Sequence, residues 1–538
     1  MASATTSLPL IGVTRWTVMG TTLLAAFAYT LNARGTVLQT DEIIQAFDLD
    51  RYSSQWLTGL QGVVGLVAIF TAIYLIQVFG TRWMFIAGAA CLTAGSLATC
   101  FTRTAWQEAF AGALRSGSSL YAIPGLIICQ RQLPRRTGLA MSCFLAMVYG
   151  GQVLAEPIGS LLTFHPSWRV LFAILAVIGL WCFLCGLLLF PDDRPTKGPD
   201  QSFDFAGVAL FALGLSLIFF ILYRGDYLGW LVSTPICLAL AALVLVTGLF
   251  VWRELAAPLP FISLEGFRYR TVTITMLSAA FWSAAMYGVA IQLSRYLLLR
   301  GYERWKSGWV LLPMGLVLLA TMLLGGLLVR RIQCVWALRL GLAGMTVTGF
   351  WLSRADLYTS WQWLMATTTL WAFFAGLCLP PIGRLVYEGQ PPAQASSTGA
   401  MKFFMRAFGG TLGILVAGIL LDRAAAWGLD FVRDSVRLGQ GALEVTQPEI
   451  RDHMTRRGSA PAEAVARTDA TIGYWVHLHA QIIGTRTAFR FCAYLSAIAL
   501  VIACLISSSK EISVLDSDDT SLPGFLRVFA PRAPVHRV

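Results

Sequence analysis

The sequence predicts an all-α polytopic membrane protein with 14 transmembrane helices, grouped six, two and six. Two observations predict it. Apolar segments of roughly 20 residues, the length an α-helix needs to cross a bilayer core of about 30 Å, recur from Trp16 to Ser509. The 538 residues are 57% hydrophobic and only 13% charged, about half the charge of a soluble domain.

The spans fall at 14–38, 55–79, 83–101, 107–130, 138–164, 168–190, 205–223, 229–252, 271–297, 307–329, 334–353, 361–384, 399–421 and 487–509. An even number puts both termini on one side. With that side cytoplasmic, the inner turns hold Arg82, then Arg131, Arg135 and Arg136, then Arg194 and Lys197, then Arg253, Arg268 and Arg270, then Arg330 and Arg331. The first outer turn is acidic, with Asp41, Glu42, Asp48 and Asp50. This is the positive-inside pattern, and it accounts for the net charge of +12 without nucleic acid. The basic turn from Arg295 to Lys306 is the exception.

Polar linkers at 191–198 and 253–260 divide the chain. The expected organisation is a six-helix bundle over 14–190, a linker and inserted hairpin over 191–260, and a second bundle over 261–509. A cytoplasmic tail follows at 510–538. The polar stretch 422–486 is an outer loop of mixed charge, expected to form short solvated helices. Paired bundles of this kind are how many transporters are built, with the substrate held between them at mid-membrane.

Charges inside spans are costly and mark candidate functional positions. Arg34 in span 1, Arg115 in span 4 and Glu156 in span 5 reach similar depths in the outer half of the membrane. Glu156 is expected to take and release a proton, with Arg34 or Arg115 biasing it or holding an anionic substrate. The alternative is a permanent ion pair that locks spans 1, 4 and 5. Asn32, Gln39, Gln61, Tyr121, Gln152, Trp282, Tyr287 and Gln292 are the polar and amphipathic candidates for substrate contact. Each competes with a plain helix–helix role.

Other chemistry is thinly represented. The cysteines lie mostly in apolar spans, as small buried hydrophobes would. Cys182-x-x-Cys185 has no second ligand pair, and His477-x-His479 lacks further ligands, so no metal is expected. Glycine-rich stretches lack the Gly-Lys-Ser/Thr of a phosphate loop. No cofactor and no nucleophile–base constellation is read, and the chain is not expected to be an enzyme.

The motifs resemble the major facilitator superfamily, and within it the fourteen-helix drug:proton antiporter branch of EmrB/QacA type. Gly112 to Pro124, centred on Arg115, resembles motif B, whose arginine is tied to proton coupling. Tyr149 to Gly159, with Glu156, Pro157 and Gly159, resembles the antiporter motif C. Gly80 and Arg82 remain from motif A, though Gln77 stands where an acid is usual. Trp168-Arg169 with Phe172, Asp204 with Gly207, and Pro260 to Phe267 match other landmarks. Ala395 to Gly413, with Arg406, Gly409 and Gly410, resembles the family's span 13. The family's usual acid in span 1 is replaced by Asn32, while Glu156 occupies a place where glycine is expected, which implies a relocated proton site.

The resemblance implies a proton-coupled efflux antiporter for a small organic compound, drug or metabolite. It implies a bacterial cytoplasmic (inner) membrane and alternating access. A periplasmic adaptor protein could dock on 422–486. The alternatives are a dedicated exporter of an anionic metabolite such as a siderophore, favoured by Arg34 and Arg115, or a transporter-like sensor without coupled flux.

Overall fold

The computed structural model describes residues 13–49, 51–133, 137–162, 167–193, 204–256, 269–328, 333–386, 395–438, 440–458 and 460–506. Among them there is no strand. The helices are α1 (Val13–Leu38), α2 (Thr40–Ala46), α3 (Arg51–Phe101), α4 (Ala105–Ser116), α5 (Ala122–Gln132), α6 (Thr137–Leu162), α7 (Arg169–Leu189) and α8 (Phe205–Leu228). They continue as α9 (Thr234–Ala256), α10 (Arg270–Leu299), α11 (Arg304–Leu328), α12 (Cys334–Leu352), α13 (Trp361–Leu385), α14 (Ala395–Leu438), α15 (Gln440–Arg456) and α16 (Pro461–Cys504). Residues 257–268 and 510–538, which hold the lead into span 9 and the expected tail, lie outside the described residues.

Eleven helical stretches among the described residues are long and apolar enough to cross a membrane. The other segments that the sequence counts as crossings are α1, α6 and the α4–α5 pair. The last is one segment in the sequence but two short helices in the fold, joined by a 3₁₀ turn at Gly117–Tyr121.

Spans 2 and 3 run together as α3, bent at Gly80, where φ is 85°. A side chain there would be strained by the backbone and would meet Asp193 at 2.9 Å. The turn is therefore a glycine turn by necessity.

Burial divides the helices into two groups. In one, α1 packs on α5, α6 and α7, and α3 on α4, α5 and α7. In the other, α10, α14 and α16 pack mutually, and α13 joins α11 to α12. The groups meet along α6 against α11 and α3 against α14. The inserted α8 lies on α3, where Thr58 Oγ1 donates to Tyr223 Oη at 3.3 Å. Phe211 of α8 completes a ring cluster with Phe70 of α3 and Phe404 of α14, at centroid separations of 4.7–5.5 Å. Its partner α9 exposes Leu238, Val244, Leu245 and Trp252, an apolar face suited to lipid.

The stretch 422–486 differs from expectation. It is not a chain of short helices. Helices α14 and α16, each of 44 residues, continue far beyond their apolar parts, to about 66 Å apiece. Ala, Leu, Arg and Asp after Leu421 keep the helix going because no proline or glycine pair interrupts them. Gly428 and Gly484 let the two rods approach closely, and α15 fastens to α16 through Gln447 Nε2 donating to Asp469 Oδ1 at 3.1 Å.

Candidate functional site

The first site forms around Arg115. A capping box starts α4: Gln107 N–H donates to Thr104 Oγ1, and Gln107 Oε1 accepts from the Thr104 N–H. This fixes Glu108 in the first turn with its side chain inward. Arg115 follows seven residues later, about two turns on, and so shares that face. Both are fully buried. Arg115 Nη2 lies 3.1 Å from Glu108 Oε1, and Nε donates to Asn32 Oδ1 at 3.0 Å. Thr36 of α1 and Thr99 of α3 accept further bonds. The guanidinium also sits 4.0 Å over the Phe172 ring of α7. One cation thus ties four helices together.

Among the described residues, the carboxylate on Arg115 comes from Glu108 of the same helix, an acid not singled out from the sequence. Glu156, Pro157, Gly159 and Gln152 lie on α6, but their side chains fall outside the described residues. Glu108 escaped notice because it reads as a rim acid at the outer end of span 4. Its seven-residue spacing from Arg115 was the available signal. Asn32, standing where the family usually has an acid, accepts from Arg115. Arg34 is buried on the same helix, two residues from both Asn32 and Thr36 and so about half a turn round from them. Glu108 lies against Arg115 and offsets its charge.

The second site lies where the groups of helices meet. Arg406 of α14, assigned only a conformational role from the sequence, is 9% exposed and points among aromatic rings. Its Nη1 donates to Tyr287 Oη of α10 at 3.1 Å. Its guanidinium lies 5.0 Å from the Tyr149 ring centre of α6 and 5.8 Å from that of Phe403. Trp282 of α10 stands edge-on to Tyr149 at 6.4 Å. Gly409 and Gly410 make this possible: a side chain on Gly409 would strike the Ala280 carbonyl, and one on Gly410 the Tyr287 ring. Ser283 Oγ donates to the Arg406 carbonyl at 2.8 Å, pinning α10 to α14 at that level.

The remaining candidates scatter. Gln61 packs over Gly112 between α3 and α4. Tyr121 is held between Tyr29 and Phe85. Gln39 is buried at the end of α1, and Gln292 is buried on α10, one turn beyond Gly288, which faces Cys492 of α16. Only Asn32 joins the Arg115 cluster, while Trp282 and Tyr287 join Arg406.

A third constellation explains the altered motif A. Asp193, just after α7, accepts from the Thr81 and Arg82 backbone N–H groups, each at 3.2 Å, and from the Thr81 hydroxyl. Arg131 Nη1 approaches it to 2.6 Å. Arg82 Nη2 meanwhile donates to the Leu187 carbonyl at 2.7 Å. Burial pushes the Asp193 carboxyl up, but the bonds from Thr81, Arg131 and Arg82 and the Arg131 charge outweigh it and hold it below the usual carboxylate range. Asp193 thus brings an acid to this turn from a distant part of the chain.

Comparison with known proteins gives the same fold. The sequence profile of the Major Facilitator Superfamily matches residues 18–414. The chain is 24% identical over 412 residues to the multidrug resistance protein Stp of Mycobacterium tuberculosis, covering 75% of each. It is 26% identical over 392 residues to the tetracenomycin C resistance and export protein of Streptomyces glaucescens, covering 68% of each. It is 23% identical over 398 residues to the methylenomycin A resistance protein of Bacillus subtilis, covering 71% of this chain and 83% of that one. The structure of a bacterial homolog of the human lysosomal transporter Spinster superposes with a TM-score of 0.56 at 15% identity, over 92% of this chain and 97% of that one. The chain belongs to the major facilitator superfamily and is a membrane transporter.

Proposed function

We propose that the protein is a proton-coupled efflux antiporter of the fourteen-helix EmrB/QacA type, exporting a small organic compound by alternating access. The observation that carries this reading is the buried Glu108–Arg115 pair, set in a chain related to resistance and export proteins. A carboxylate on a guanidinium inside a span has two states of different charge. Protonating Glu108 releases Arg115 from its ion pair and weakens the tie among α1, α3, α4 and α7. Coupling requires such a difference between conformations. Glu156 of α6 is a second candidate for the same task.

The transporter sits in a bacterial inner membrane with both termini cytoplasmic, so the α14–α15–α16 projection faces outward, where a periplasmic adaptor would dock. A pH step on proteoliposomes tests the coupling. Export driven by an imposed gradient should vanish in Glu108→Gln while exchange of labelled compound persists. If Glu108→Gln keeps gradient-driven flux and Glu156→Gln loses it, the proton site moves to α6.

A second reading, a dedicated exporter of an anionic metabolite, gains support from Arg406. That residue carries a buried charge with phenol and aromatic partners and no carboxylate among the described residues.

A further inference from the structure

Resting on the transporter reading, we infer that the Arg406 cradle is the substrate site and that it takes a planar aromatic anion, a ring system bearing an ionised phenol or carboxylate.

The inference starts from charge. Arginine keeps its proton in proteins, so Arg406 brings a permanent positive charge into a span, where an uncompensated charge is costly. Its counterpart Arg115 solves this with Glu108. Arg406 has no such solution among the described residues: its polar side-chain bond goes to a phenol, Tyr287. The Arg406 charge is therefore balanced by no acid among the described residues.

Hydrogen bonding agrees. Arg406 Nε and Trp282 Nε1 are both buried, and neither has a hydrogen-bond partner among the described residues. Buried donors are normally satisfied. The free Nε–H of the guanidinium and an indole N–H on the neighbouring helix α10 are donors that suit an oxyanion.

The walls set the second half of the specificity. The Tyr149 and Phe403 rings lie beside the charge, and Trp282 stands edge-on to Tyr149. Flat aromatic walls favour a flat aromatic ligand by offset or edge contacts. Tyr149 belongs to α6, in one helix group, while Trp282 and Arg406 belong to the other. A ligand bridging them would hold the groups together, and this gives the substrate leverage on the conformational equilibrium.

The test uses three isosteric probes: 2-naphthoate, 2-naphthamide and 2-naphthylmethylammonium. Binding to the full-length protein in nanodiscs is measured by calorimetry, with empty nanodiscs subtracted. Naphthoate should bind roughly tenfold tighter than the amide, and the ammonium weakest. Arg406→Gln should reduce naphthoate to the level of the amide. Arg406→Lys should keep the preference for anion over cation, and Trp282→Phe should weaken naphthoate several-fold. Should Arg406→Gln fail to fold, the wild-type series and Trp282→Phe decide the matter. Equal binding of all three probes, or tightest binding of the ammonium, overturns the inference, as does an anion preference that survives Arg406→Gln. Because no gradient or flux enters this assay, anion-selective binding without gradient-driven transport would sink the antiporter reading alone. Gradient-driven export with a cation preference would sink only the assignment of the site.

Discussion

Asp193→Ala removes the acceptor that closes the bend at Gly80. Three contributions add up. The carboxylate caps the first backbone N–H groups of the second half of α3, and losing such a cap costs about 1 kcal/mol. A negative charge at a helix N-terminus adds about 0.3–1 kcal/mol. The Arg131 pair adds at most about 1 kcal/mol, because the arginine side chain is 42% exposed and screened by solvent. The expected loss is about 1–3 kcal/mol. Asp193→Asn should lose roughly half, since its amide oxygen still accepts from the backbone. Unfolding of the purified protein, followed by a cysteine-reactive dye at buried thiols such as Cys182, reads the effect. The pH dependence carries a sign. The folded carboxyl is held below its ordinary value of about 3.9, so its stabilisation is in force above that value and fades as pH falls through the folded one. The difference between wild type and Asp193→Asn should be flat from pH 5 to 8 and shrink only below about pH 4. Equal stability of Asp193→Ala and wild type at pH 7, or a difference that shrinks as pH rises, would refute the reasoning.

Further predictions concern the buried clusters. Glu108→Ala strands Arg115 in the membrane interior and should destabilise by about 3–5 kcal/mol, while Glu108→Leu with Arg115→Met should recover most of that loss in the same unfolding assay. Gly409→Val drives a side chain into the Ala280 carbonyl and should abolish the monodisperse folded peak on size exclusion, whereas Gly418→Ala, with open space beside it, should not. Tyr223→Phe removes only the Thr58 hydrogen bond between α3 and α8, so stability should change by less than about 1 kcal/mol and transport not at all.

The crossings were legible because a bilayer imposes one length and one polarity on every helix, and no soluble alternative competes. The bend at Gly80 and the positions of Arg82, Gly409 and Gly410 could be read from motifs. Partner choice could not. Glu156, in a motif, was the acid singled out for Arg115; Glu108 reads as a rim acid, and its inward direction depends on the capping box at Thr104. Asp193 was hidden for a related reason: it lies 112 residues from Thr81, and only the packing of α7 on α3 brings it there. Arg406 looked like part of a glycine-rich packing motif. Its aromatic surroundings show only when Tyr149, from the other group of helices, is laid across it. The long rods of α14 and α16 were misread because mixed charge suggests breaks, whereas helix propensity alone carries those residues onward.

The account is tested most directly by inside-out vesicles with an acidified lumen, exposed to a panel of aromatic antibiotics and dyes. It predicts that at least one compound accumulates in step with the gradient, that collapsing the gradient releases it, and that Glu108→Gln prevents accumulation without preventing counterflow. Accumulation that ignores the gradient, or that survives the loss of both Glu108 and Glu156, would contradict it.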